Sequence, residues 1–502
     1  MSIQHIVIVG GGTAGWMAAA ALANIRKGRE LAITLVESEV IGTVGVGEAT
    51  IPPLVDFNRA LEIDEREMLA ATQGTFKLGI QFANWGEVGE SYIHPFGAYG
   101  YEVGGIAFHQ LWHKMREKGD RRPLQVFNLE TMAAYFGKFS RTEDYRREDL
   151  PPMNYAYHID AGRYAAYLRQ YAAKRGVRRQ EGRVLDVRLD PDNGDVASIE
   201  LESGQIIDGD LFIDCTGFRG LLIEQALGTG YEDWTHYLPC DRAVALPCDR
   251  DDGSPPPPFT KSTAHSAGWQ WQVPLQHRNG NGHVYCSEFM SCDEAHDILV
   301  KNMIGKPTAE PNFLRFVTGR RKKFWNRNVV ALGLSSGFME PLESTSIHLI
   351  NTGINKLVAI LSLGGIVEAQ RSTYNRLTIR EYERIRDFLI LHYKVTRRDD
   401  SDFWRHCRAM KVPDTLAEKI EIFRANGQIF REEDELFTST SWAAVMMGQG
   451  IRMEGTSPMA DGIAITAQKE LNEIEKSIRW LVDHLPFHHE YLARYCPAEL
   501  RA

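Results

Sequence analysis

The run Ile6-Val7-Ile8-Val9-Gly10-Gly11-Gly12-Thr13-Ala14-Gly15 stands almost at the amino terminus and governs how the rest of the chain is read. Four apolar, mostly β-branched residues predict a buried strand, the glycines predict a sharp turn, and Trp16-Met17-Ala18-Ala19-Ala20-Ala21-Leu22-Ala23 predicts a tightly packed helix. Each glycine of this G-x-G-x-x-G has a task. Gly10 permits the turn, Gly12 lets backbone approach a pyrophosphate, and Gly15 lets helix pack on strand, while the N–H groups at the helix entry around Thr13 and Ala14 face the phosphates. A second strand, Leu31-Ala32-Ile33-Thr34-Leu35-Val36, ends in Glu37, whose carboxylate suits a ribose hydroxyl. With loop, helix and terminal acid in register, dinucleotide binding is the expectation.

At 502 residues the chain exceeds what one core holds, so intimately joined lobes are expected. The formal charge of -9 argues against a nucleic-acid surface. Seven cysteines without a C-x-x-C pair suggest neither a metal site nor a disulfide framework, and a reducing cytoplasm fits that usage. The amino-terminal apolar run is too short for a signal peptide, and the longest apolar run, 357–367, falls well short of a membrane span. A soluble monomer or homodimer is expected.

Along the chain, Gly42, Gly45 and Gly47 followed by Glu48-Ala49-Thr50-Ile51-Pro52-Pro53 suit a loop wrapped on a ligand. Lys77 stands alone in the apolar stretch Gly74-Thr75-Phe76-Lys77-Leu78-Gly79-Ile80. It is either a snorkelling surface residue or a buried amine of depressed basicity, the form a catalytic lysine takes. The aromatic cluster Tyr92-Ile93-His94-Pro95-Phe96 follows, equally able to fill a satellite core or to line a pocket for a flat ring. Asp160 can cap a helix over residues 163–174, ended by Gly176. Short strands around Val184, 196–201 and 205–207 turn at Asp192-Asn193-Gly194 and Ser203-Gly204, and a further strand at 210–214 ends near Gly217. A meander inserted between nucleotide-fold elements favours FAD over NAD.

The alternating strand Gly268-Trp269-Gln270-Trp271-Gln272-Val273-Pro274 places two tryptophans on one side, a pattern that ordinary packing also produces. Arg320-Arg321-Lys322-Lys323 reads as a solvated turn rather than a binding patch, with the alternative that one guanidinium reaches the cofactor phosphates. A third nucleotide-lobe strand, 329–334, runs through Gly333 and Leu334 into Pro341-Leu342-Glu343-Ser344-Thr345-Ser346 and a helix entry, a ready anion site. Glu343 caps that helix or acts in catalysis. The remainder is helical. Thr378-x-x-Glu381 reads as a capping box, and His392 falls on the stripe Ile379, Tyr382, Ile385, Leu389 as a core residue without a role.

Together these motifs resemble the flavin-dependent tryptophan-type halogenases over nearly the whole chain. The glycine loop matches, as do Gly47-Glu48-Ala49-Thr50-Ile51-Pro52, a W-x-W-x-I-P motif at Trp269 and Trp271 with Val273 for Ile, and an H-x-F pair at His94 and Phe96. Lys77 and Glu343 fall where the family keeps its catalytic lysine and glutamate. The resemblance implies an α/β fold: a Rossmann-type FAD-binding fold of the flavin monooxygenase kind with an inserted β-sheet, plus a mainly helical substrate lobe. It assigns 1-370 to a discontinuous FAD-binding module with inserted segments near 75-150 and 220-325, and 371-502 to the helical part.

It further implies that reduced FAD, delivered by a separate flavin reductase, and oxygen convert chloride or bromide to hypohalous acid. Lys77 then activates that acid, as a haloamine or by a hydrogen bond, for attack on an aromatic ring whose cation Glu343 stabilises or deprotonates. Gly10, Gly12, Thr13, Ala14, Gly15, Glu37, Ala49, Gly217, Gly333 and Leu334 are the implied FAD contacts. Thr345 and Ser346 are the implied halide site, and His94, Pro95, Phe96 and Ser344 the implied substrate contacts. Trp269 and Trp271 are implied to keep substrate from the flavin. Two departures follow. The family usually has glycine where this chain has Ser346, so a Cβ is expected to be awkward there if φ is positive. At Trp442-Ala443-Ala444 it lacks the tyrosine pair that grips free tryptophan, so indole is the expected substrate. An FAD monooxygenase or a non-catalytic flavin-binding protein are the competing readings.

Overall fold

The alternation read from the amino terminus builds a six-stranded sheet. In order across it lie Trp325–Asn326, Val329–Ala331, Leu211–Asp214, His5–Val9, Ala32–Glu37 and Arg178–Glu181, all parallel except the first. The computed structural model describes residues 2–25, 30–40, 47–145, 151–250 and 253–498, without the side chains of 462–467. Ile6, Val7, Ile8 and Val9 are buried on both faces, as a central parallel strand requires. The helix Thr13–Ile25 packs one face of the sheet through Trp16, Met17 and its alanines. The meander is present as an antiparallel sheet of Val184–Leu189, Val196–Leu201 and Ile206–Asp208, with Gly194 and Gly204 at positive φ in its turns.

Two further sheets carry the rest of the site. A seven-stranded sheet runs Asn312–Arg315, Arg242–Ala245, Asn279–Tyr285, Gly268–Pro274, Thr260–His265, Gly79–Ala83, Ser91–Pro95. A small antiparallel sheet sets Ala156–Asp160 between Gly47–Ala49 and Thr75–Lys77. The carboxyl-terminal part is helical, beginning with Glu368–Lys394, whose first turn contains position 370. Asp160 caps its helix by accepting from Arg163 N, and that helix, Ala161–Lys174, starts two residues before the expected 163.

Two expectations are corrected. Thr378 is not an N-cap: it lies inside the helix that begins at Glu368, and its hydroxyl donates to the Tyr374 carbonyl one turn back. Glu381 instead pairs with Lys356 and His348 of the neighbouring helix. The basic cluster at 320–323 is a solvated turn only in its second half: Lys322 and Lys323 are exposed beyond the strand Gly319–Arg321, whereas Arg320 and Arg321 are buried on it. Their charges are met by Glu232 and Glu383 for Arg320 and by Glu224 for Arg321, whose Nε also donates to the Ser335 carbonyl.

Candidate active site

A cavity of about 490 Å³ opens at the carboxyl ends of the parallel strands, where open α/β sheets bind ligands. Residues 10–14, Glu37, Gly217, Gly333 and Leu334 line it. Its glycines are shaped for close approach. Gly10 has φ +112°, and a Cβ there would stand 2.2 Å from the Cys215 carbonyl oxygen, so only glycine makes this turn. Gly12 and Gly217 face open space within 4 Å, leaving bare backbone toward the cavity. Gly15 does not line it. A Cβ there would meet the Gly10 carbonyl oxygen at 1.9 Å, so its task is helix packing, as read from the sequence.

Glu37 accepts from Trp16 Nε1 at 3.1 Å and pairs with Arg179, yet still lines the cavity, and a carboxylate has acceptor capacity beyond those two. Ala49 sits outside the lining, packed with Val273, Leu275 and Trp271, while its neighbour Glu48 lines the cavity and is pushed up to about 7 by burial. Glycines at the turn, a helix entry and an acid in the cavity wall fit FAD. Of the expected wrapping loop, residues 41–46 lie outside the described part; Gly47, Glu48 and Thr50 are within it.

The two tryptophans separate by role. Trp271 lines the cavity, its ring lying across Gly282, where a Cβ would come within 2.0 Å of the indole. Trp269 lies deeper, 1% exposed, and donates from Nε1 to Glu340 at 2.8 Å; the ring centroids are 6.2 Å apart.

The turn at 341–346 joins this cavity to a second constellation. Ser344 holds φ +60°, so the chain reverses there. Pro341, Thr345 and Ser346 line the cavity, whereas Ser344 faces Lys77. Thr345 is the N-cap position of the helix Ser346–Ile360, so the helix entry and its unpaired N–H groups lie at the cavity wall. Ser346 is not among the positive-φ residues and opens the helix, so the expected difficulty with its Cβ is corrected: the left-handed residue is Ser344.

Lys77 is fully buried, so it is not a snorkelling surface residue. Its Nζ donates to the Thr50 carbonyl at 2.9 Å and to Ser344 Oγ at 2.8 Å, and lies 5.2 Å from the Phe96 ring centroid. Burial pushes the amine down to about 7 against the opposing pull of Glu343. Two anchors leave one tetrahedral direction of the nitrogen free, for a lone pair when neutral or a third N–H when charged.

Glu343, 1% exposed, meets His94 Nδ1 at Oε2 and His392 Nε2 at Oε1, both at 2.8 Å. Burial would raise its pKa, but the two imidazoles outweigh that and hold it down at about 2. Pro95 is buried beside His94 on the strand Ser91–Pro95, and Phe96 is half-buried at its end. The structure thus brings together Lys77, His94, Phe96, Glu343 and Ser344, and adds Thr50 and His392. Thr50 contributes only a carbonyl, which side-chain patterns cannot announce. His392 had no local signal, since it repeats the spacing of its buried helix neighbours.

Among known proteins, the family model described as Tryptophan halogenase matches residues 5–464. Tryptophan 6-halogenase SttH of Streptomyces toxytricini is 36% identical, aligned over 98% of each chain. Xcc4156, a flavin-dependent halogenase from Xanthomonas campestris, superposes over 100% of both chains with a TM-score of 0.96 and 46% identity. BrvH, a flavin-dependent halogenase from Brevundimonas sp. BAL3, does so over 99% of both with a TM-score of 0.94 and 45% identity.

Proposed function

This chain belongs to the tryptophan halogenase family and is a flavin-dependent halogenase, and from that premise we propose that it halogenates an electron-rich aromatic ring, indole or a simple indole derivative, with hypohalous acid activated at Lys77. Residues 10–14, Glu37, Gly217, Gly333 and Leu334 would hold FAD, with Gly15 and Ala49 packing behind them, and the cofactor, reduced by a separate flavin reductase, would supply with oxygen the two-electron oxidation of chloride or bromide.

The backbone N–H groups of Thr345 and Ser346 hold the halide at the helix entry. Trp271, in the cavity wall, and Trp269 behind it fill the space through which substrate would reach the flavin. Hypohalous acid meets Lys77 along its free direction, either as a haloamine with loss of water or as an acid polarised by an N–H donor. The aromatic ring lies against His94, Pro95, Phe96 and Ser344, and Glu343 takes the proton displaced by the halogen. Trp442, Ala443 and Ala444 are all buried in the helix Ser439–Gly448, without a tyrosine to bind an amino-acid head group, which supports indole over free tryptophan.

One observation carries the reading: an unexposed amine, anchored twice and lowered toward neutrality, beside an ionised buried carboxylate. Product mass spectrometry tests it, with FAD, reductase, NADH, oxygen and indole or tryptophan in chloride, bromide and halide-free buffers. A halogen isotope pattern on indole that vanishes in Lys77→Ala while FAD still binds is the expected result. Hydroxylated indole in every buffer would overturn it in favour of a monooxygenase, and equal turnover of tryptophan would overturn the substrate assignment.

A further inference from the structure

The surroundings of His392 fix more than a contact. The ring is fully buried, against Phe82, Trp85 and Phe388 with centroids 4.8, 6.0 and 5.2 Å away. Its Nδ1 lies 2.9 Å from the Phe388 carbonyl oxygen, which can only accept, so Nδ1 carries a proton. Its Nε2 lies 2.8 Å from Glu343 Oε1 as an ion-pair contact, and neither atom has a further hydrogen-bond partner among the described residues. A neutral imidazole protonated at Nδ1 would set an Nε2 lone pair against a carboxylate oxygen. At that distance inside a dry site such a contact is repulsive. The pair therefore holds one proton more than a neutral histidine and a carboxylate do.

We infer that His392 is the positioning residue of Glu343: protonated on both ring nitrogens and tied back to the Phe388 carbonyl, it keeps the carboxylate ionised and fixed beside Lys77. The inference rests on the role proposed for Glu343. The alternative location of the proton, on Glu343 Oε1, leaves the carboxyl neutral and unable to receive the proton of the substituted ring. The other titratable groups facing the pair are His94, whose Nδ1 serves Oε2, Lys77, and Tyr92, whose hydroxyl accepts from Gln449 Nε2 at 3.2 Å. His94 needs a proton only on Nδ1 to serve Oε2, so His392 is the member whose geometry demands two.

The direct test is nitrogen-15 NMR of the FAD-loaded full chain labelled at histidine, with the His392 signals assigned by His392→Gln. Both ring nitrogens are expected to read as protonated in the wild type at neutral pH, with the Nε2 proton lost in Glu343→Gln. An unprotonated Nε2 in the wild type overturns the inference. In steady-state assays, His392→Gln keeps a hydrogen-bond donor but no charge. It is expected to lower kcat on indole by on the order of 100-fold, the scale of a misplaced catalytic group, with indole KM and FAD affinity within about twofold. Unchanged kcat overturns the positioning role. If Glu343→Gln is itself fully active, the reading of Glu343 fails while the doubly protonated ring still stands, so the two failures are distinguishable.

Discussion

At the scale of single residues, the site is a study in opposed titrations. Lys77 is lowered to about 7 and Glu343 to about 2 within one buried neighbourhood, the first by loss of water and the second because two imidazoles outweigh that loss. The neutral fraction of Lys77 grows as pH rises through about 7, so a halogen-accepting amine makes kcat climb across that point. A falling rate would instead assign the hydrogen-bonding ammonium. Replacing Lys77 by methionine keeps the apolar stem and is expected to lower halogenation by roughly 10²- to 10⁴-fold, the range of a lost general acid or base, with FAD binding intact by fluorescence titration. The lysine was visible in the sequence as a charge inside an apolar run, but that run cannot say whether the amine reaches water. The answer lies in Thr50 and Ser344, brought to it by folding.

At the scale of elements, the glycine turn and the parallel strands were legible because each residue's conformational duty is local. Gly10→Ala is expected to abolish FAD binding and to destabilise the fold by about 1–3 kcal/mol or more, the usual range for overpacking, because its Cβ would press on the Cys215 carbonyl. Thermal melts and flavin absorbance after purification check both. Ser346→Gly should leave the chloride-to-bromide product ratio unchanged, since the serine already has helical backbone; a shifted ratio would mean that its side chain touches the halide. What sequence could not give was pairing between distant segments. The small sheet joining Gly47–Ala49, Ala156–Asp160 and Thr75–Lys77 has too few residues per strand for periodicity to declare it. The buried Arg321 escaped for a related reason, because its partner Glu224 lies on another element. Arg321→Met, tested by denaturant titration, should cost about 1.5–3 kcal/mol, the range of a charged hydrogen bond.

At the scale of the whole molecule, buried groups shape stability against pH. His277, His283 and His488 are lowered from 6.5 to about 4 by burial, so the unfolded chain binds more protons between those values and stability rises with pH there. Glu48, Glu130 and Glu340 are raised from 4.5 to about 7 by burial, so the folded chain binds more protons in that window and stability falls. The windows overlap and oppose one another. Above about 7 Lys77 acts alone among these, neutral when folded and charged when unfolded up to 10.5, so stability rises again. Chemical denaturation between pH 7 and 8, below the range in which the buried thiols, raised from 9.0 by burial, oppose it, should show that rise in the wild type and lose it in Lys77→Met. Removing the amine should also raise stability at neutral pH, a gain set against activity.

The reversal at Ser344 has one more consequence, which concerns leakage. Ser344 touches the Lys77 amine and its neighbour Thr345 lines the cavity, so one peptide link, about 3.8 Å from Cα to Cα, ties the proposed oxidant source to the proposed target. On the proposed mechanism, hypohalous acid passes from one side of this turn to the other without entering bulk solvent. A thioether scavenger in the bulk solvent should therefore leave the yield of halogenated indole untouched, whereas a yield that falls with scavenger concentration would reveal an enzyme that releases its oxidant and works in solution.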